Sequence, residues 1–113
     1  MELPHEAERL CIYIGEGDKH GPRPLHEVIV EEARRRGMAG ATVLRGIMGF
    51  GRASRIHTSK ILRLSEDLPV VVEIIDKPER IAEFLPELDR LVPDGLVTLE
   101  PVQVKAYRSQ ASG

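Results

Sequence analysis

Arginine and glycine are the residues of this chain whose types and spacing suggest chemistry. Gly46, Gly49 and Gly51 stand just ahead of Arg52 and Arg55. Glycine lets a backbone amide approach an oxyanion that a β-carbon would hold away, and a charge-assisted hydrogen bond is worth about 1.5–3 kcal/mol, so the group reads as an anion cradle. The spacing matches neither the P-loop pattern nor the dinucleotide fingerprint, and no helix is expected to follow, so the glycines read equally as turn residues. A second glycine-rich run, GEGDKHG at 15–21, feeds a helix start and could offer free amides in the same way; a loop without ligand is its simpler reading.

The remaining chemistry-bearing residues form no constellation. His5, His20, His26 and His57 lack metal-ligand spacing, and Cys11 sits on an alternating stretch where it reads as a packed small side chain. No Ser, His and Asp arrangement stands out, and Glu31 with Glu32 belongs on an exposed helix face. We therefore expect no catalytic residues and no metal site.

Charge is segregated beneath a formal net charge of −2. From Ala33 to Leu64 there is no acid, while Arg34, Arg35, Arg36, Arg45, Arg52, Arg55, Lys60 and Arg63 supply eight of the sixteen cations. Such a block suits an anion or the acidic face of a neighbouring subunit. The overall negative charge and an aromatic content of 4% argue against nucleic acid as the partner.

These residues must be held by elements that the apolar periodicity defines. Leu10, Ile12 and Ile14 alternate as in a strand with one buried face, and Leu25, Val28, Ile29 and Ala33 recur at helical spacing before Gly37. Residues 40–48 read as a second strand entering a basic loop at 49–59. Lys60 to Leu64 and Pro69 to Ile75 read as one broken strand or two short ones. Asp76 and Glu79 resemble a capping pair for a helix carrying Ile81, Leu85, Leu88 and Val92, which Pro86 should kink or restart. In the last strand Val97 and Leu99 keep one phase and Val102 and Val104 the other, which predicts a β-bulge at Glu100 and Pro101.

The order is βαββαβ, an α+β ferredoxin-like sandwich with an antiparallel four-stranded sheet and two helices on one face. With 113 residues and 12.6 kDa the chain is expected to be a single domain over 1–113, its core about 8–107 and its tail 108–113 disordered. Val70, Val71 and Val72 place apolar side chains on both faces, so the uncovered face should be buried against further subunits. One cysteine and the lack of a signal or membrane-spanning run imply the cytoplasm.

The segment GATVLRGIMGFGR at 40–52, with DGLV at 94–97, resembles the trimeric PII signalling proteins. The longer runs SRIHTSKILRLSEDLPVVVEIID, FLPELDRLV and GLVTLEPV make the chain, over about residues 8–107, similar to an uncharacterised bacterial and archaeal PII-like family, a domain of unknown function. The resemblance implies a homotrimer with ligand clefts between subunits that hold an adenine nucleotide, and a loop after strand two that engages a membrane transporter or an enzyme. It also implies ligand-binding roles for Thr42 near the adenine, Gly49 and Gly51 at the loop entrance, and Arg52 and Gly95 near the phosphates. Lys105 and Arg108 stand where PII proteins have paired arginines, and Leu96 where they have a phosphate-binding lysine.

The resulting expectation is a non-enzymatic trimer that senses a small anionic metabolite through Thr42, Gly49, Gly51, Arg52, Arg55, Gly95 and Lys105. The alternative is a trimeric divalent-metal-responsive protein resembling the cation-tolerance family, which has this fold.

Overall fold

The computed structural model describes residues 5–51 and 68–109, together with the backbone of 57–58. Four strands, β1 (Glu6–Gly15), β2 (Ala41–Arg45), β3 (Pro69–Asp76) and β4 (Leu96–Gln103), form an antiparallel sheet in the order β2-β3-β1-β4. The helices α1 (Leu25–Arg35) and α2 (Pro78–Leu91) make the βαββαβ order expected of a ferredoxin-like sandwich. Arg52, Arg55 and the expected strand at 60–64 lie outside the described residues, as do 110–113 of the expected tail; 104–109 lie outside regular secondary structure. Among the described residues, no helix is long and apolar enough to cross a membrane.

The core follows from the two periodicities. Leu10, Ile12 and Ile14 of β1 and Val70, Val72 and Ile74 of β3 point to one side, because antiparallel partners such as Leu10 and Ile74 share a face. Leu25, Ile29 and Ala33 of α1 and Ile81, Phe84, Leu88 and Leu91 of α2 close over them at helical spacing. Each of these side chains except the small Ala33 contributes roughly 1.5–3 kcal/mol by leaving water. A Schellman pattern ends α1: the Gly37 amide donates to Arg34, the Met38 amide to Ala33, and Gly37 takes φ 74°. Arg80 of α2 donates to the Gly37 carbonyl at 3.1 Å, and Arg36 lies over the Phe84 ring at 5.9 Å, so the two helices are locked at one end.

Three expectations are corrected. No bulge interrupts β4, whose register with β1 runs without a slip from Glu6–Gln103 to Tyr13–Leu96. The change of phase arises because Val97 and Leu99 face the helix side and Val102 the open side of an edge strand, and Pro101 is tolerated on that edge. α2 does not restart at Pro86, which is exposed together with Ala82, the residue whose carbonyl loses its partner, so water can satisfy that oxygen. The second strand is shorter than 40–48. It stops at Arg45, and Met48–Gly49 form a separate two-residue ladder with His57–Thr58.

Asp76 does not cap α2 either, since Lys77 holds the cap position without a side-chain bond. Its fully buried carboxylate accepts the amides of Ala39 at 2.9 Å and Lys77 at 2.7 Å, with Arg80 Nε at 4.0 Å. The group thereby joins the end of β3, the start of α2 and the turn that leads into β2. Asp76→Ala would strand both amides in a buried setting, and urea titration should show a loss of roughly 2–4 kcal/mol without a change of fold by circular dichroism. A loss under about 0.5 kcal/mol, the size of a neutral surface change, would mean water replaces the carboxylate at no cost.

Candidate functional site

Strand directions divide the candidate residues between two ends of the sheet. At one end lie Gly15, Arg45, Pro69 and Leu96, and with them the connections 16–24, 46–51 and 92–95. Gly49, Gly51 and Gly95 belong here. Lys105 follows β4 at the other end, roughly 23 Å away by the strand rise, and Thr42 is exposed on β2 opposite Glu73, on the face without helices. A single chain therefore gathers the three glycines and leaves Thr42 and Lys105 apart from them.

Packing sets the loop root. The Gly46 amide donates to the Pro69 carbonyl at 2.7 Å, and a β-carbon on either Gly46 or Gly49 would lie 2.9 Å from Pro69 Cγ. Both glycines are thus required by close approach to the proline ring that starts β3. Gly95, at φ 155°, would carry a β-carbon 2.8 Å from the Tyr13 carbonyl oxygen, so it too is fixed by a neighbouring strand.

The basic block is less open than its sequence suggests. Arg45 donates to Glu16 at 2.7 Å, and the Glu16 amide donates to the Leu68 carbonyl at 2.8 Å, tying the end of β2 to the start of β3. Arg35 and Arg36 both reach Glu32, and Arg36 also reaches Glu87. Hydrogen bonds from Arg35 and then Arg36 hold the Glu32 carboxyl below the usual carboxylate range; Arg23 does the same for Glu31. Exposed pairs of this kind are worth about 0–1 kcal/mol each, so they orient the arginines more than they stabilise the chain.

Two features escaped the sequence reading. Arg9 bridges Glu73 and Glu100, at 2.8 Å each, across three strands on the face without helices. These residues are 64 and 91 positions from Arg9, a distance no local pattern reports. Around the loop root Leu44, Ile47, Met48 and Phe50 are exposed, a cluster that was visible in the sequence as apolar residues between glycines. A shallow cavity of about 300 Å³ lies at the far end, beside Glu6, Glu8, Pro78 and Pro101. Its two acids suit no anion, and none of the candidate residues lines it.

Residues 7–104 match the DUF190 family, described as Uncharacterized ACR. A UPF0166 protein of Aquifex aeolicus (strain VF5) is 42% identical over 95 residues, covering 84% of this chain and 90% of its own. A UPF0166 protein of Methanocaldococcus jannaschii is 36% identical over 100 residues, covering 88% and 92%. Among solved structures, CPII, a nitrogen regulatory PII-like protein from Thiomonas intermedia K12 bound to ADP, AMP and bicarbonate, superposes with a TM-score of 0.62 at 17% identity, over 89% of this chain and 90% of that one. A Thermus thermophilus protein described as a putative PII-like signaling protein gives 0.63 at 23% identity, over 92% and 93%. At these identities the likeness establishes a shared PII-like fold.

The glycine at the loop root is directly testable. Gly49→Ala should force Pro69 or the loop to shift and cost about 1–3 kcal/mol in thermal or urea unfolding. Gly40→Ala, whose β-carbon meets nothing within 4 Å, should stay within about 0.5 kcal/mol of the wild type. Equal behaviour of the two variants would remove the packing explanation for Gly49.

Proposed function

The chain belongs to the DUF190 family, and from that premise we propose that it is a PII-like regulatory protein that works as a homotrimer. In this reading a small anionic metabolite, with an adenine nucleotide as the leading candidate, binds in clefts between subunits. Occupancy is reported through the loop after β2 to a membrane transporter or an enzyme. The role is regulatory and involves no catalysis.

One observation carries the reading: the end of the sheet that holds Gly49, Gly51 and Gly95 is also where the acid-free segment enters its loop, within a fold shared with a protein that binds ADP, AMP and bicarbonate. Glycines that pack tightly leave backbone amides close to the surface, and Arg52 and Arg55 follow within six residues of Gly49. Phosphate oxygens would find fixed guanidinium groups there. Lys105, at the opposite end of the sheet from these glycines in one chain, would join them when a second subunit supplies it. That separation supports an interfacial cleft over a pocket within the monomer.

Titration calorimetry with ADP, AMP and ATP tests the proposal. Arg52→Ala and Arg55→Ala should each weaken nucleotide binding by about 1.5–3 kcal/mol, or roughly 10- to 150-fold. Arg90→Ala, at a residue paired with Glu87 on α2, should leave affinity unchanged. Equal small effects at all three positions would overturn the phosphate-binding role.

A further inference from the structure

Two hydrogen bonds fasten the arm that follows β4. The Val104 amide donates to the His5 carbonyl at 2.6 Å beside the start of β1, and the Tyr107 hydroxyl donates to the Ala39 carbonyl at 2.6 Å. Ala39 leads into β2, on the opposite edge of the sheet from β4. Neighbouring strands lie about 4.8 Å apart, so the arm and its tyrosine side chain bridge two to three spacings, about 10–14 Å. Four residues of extended chain reach at most about 14 Å. The arm therefore has little slack, and Lys105 is confined between its two fastenings.

The anchor point is itself held. The Ala39 amide donates to the fully buried Asp76 carboxylate at 2.9 Å, and that carboxylate also accepts the Lys77 amide, so Tyr107 grips a residue already tied to the junction of β3 and α2. The charges on the arm, by contrast, are uncompensated. Lys105 and Arg108 are exposed and form no ion pair among the described residues, whereas Arg9, Arg23, Arg35, Arg36, Arg45 and Arg90 each hold a glutamate. A cation on a loose arm must be ordered when an anion binds, and the lost entropy is set against affinity. An arm held beforehand loses less.

We propose that Tyr107 is a positioning residue: its hydroxyl fastens the C-terminal arm to Ala39 and thereby holds Lys105 ready for the phosphate of an anionic ligand. The inference rests on the nucleotide reading and adds to it the group that prepares Lys105. Tyr107 is 51% exposed, so its bond is open to water and has the modest net worth of an ordinary hydrogen bond. The arm is accordingly unfastened for a measurable fraction of the time. Only the fastened fraction is competent to bind, which makes affinity depend on the phenol although it touches no ligand.

The experiment is a double-mutant cycle on the full chain. Wild type, Tyr107→Phe, Lys105→Ala and the double variant are each titrated with ADP by calorimetry, and hydrogen exchange of the amides at 104–107 is read in parallel. Tyr107→Phe keeps the ring and removes only the donor. It should speed exchange at 104–107 and weaken ADP binding about 2- to 10-fold, the worth of one ordinary hydrogen bond. In the Lys105→Ala chain the same substitution should leave ADP affinity where Lys105→Ala alone sets it, because the group it positions is gone. A merely structural tyrosine would cost the same in both backgrounds, and that result would overturn the proposal. Unchanged exchange, or unchanged ADP affinity while the wild type binds ADP, would also overturn it and leave the nucleotide reading standing. A wild type that binds no ADP would overturn the nucleotide reading and the positioning role with it.

Discussion

Two helices of 11 and 14 residues can cover one face of a four-stranded sheet, and that limit shapes everything else in this chain. β1 and β3, at the centre, bury Leu10, Ile12, Val72 and Ile74 completely. β2 and β4, at the edges, keep apolar side chains in water. The opposite face carries Cys11, Val71 and Ile75 around the Arg9 bridge and has no helix above it among the described residues. A sheet so built has a finished interior and unfinished borders. In the trimeric reading, neighbouring copies of the chain provide the cover.

The same limit explains where binding chemistry can sit. Tight packing of Gly46 and Gly49 on Pro69, and of Gly95 on Tyr13, brings backbone close to backbone at one end of the sheet. The shallow cavity beside Glu6 and Glu8 lies at the other end of the sheet. A small anion needs walls as well as donors. In the proposed reading a neighbouring subunit supplies walls at the glycine end.

Local pattern made much of the fold legible. Alternation at Leu10, Ile12 and Ile14, the β-branched run from Val70 to Ile75 and the spacing of Ile81, Leu85 and Leu88 each reported their own element correctly. The failures share a cause, which is that the deciding partner was distant in sequence or was solvent. Val97 and Val102 imitate a bulge only if one face of β4 is assumed dry, whereas an edge strand mixes both faces. Pro86 does not restart its helix, and the carbonyl it frees lies at exposed Ala82, within reach of water. Asp76 looked like a cap for the next helix because its real partner, the Ala39 amide, lies 37 residues earlier. The candidate site was legible to the same degree: glycines and arginines were visible as types, while the role of Pro69 and the Glu16 clamp on Arg45 required the fold.

The central claim is that ligand binding belongs to the assembly and not to the single chain. Sedimentation velocity of the wild-type protein over a dilution series, with fluorescently labelled ADP at fixed concentration, examines this directly. Labelled ADP should travel with the three-chain species and return to the free pool as dilution separates the subunits. Co-migration of ADP with the 12.6 kDa chain at the same affinity would contradict the account, because the cleft would then be complete within one subunit.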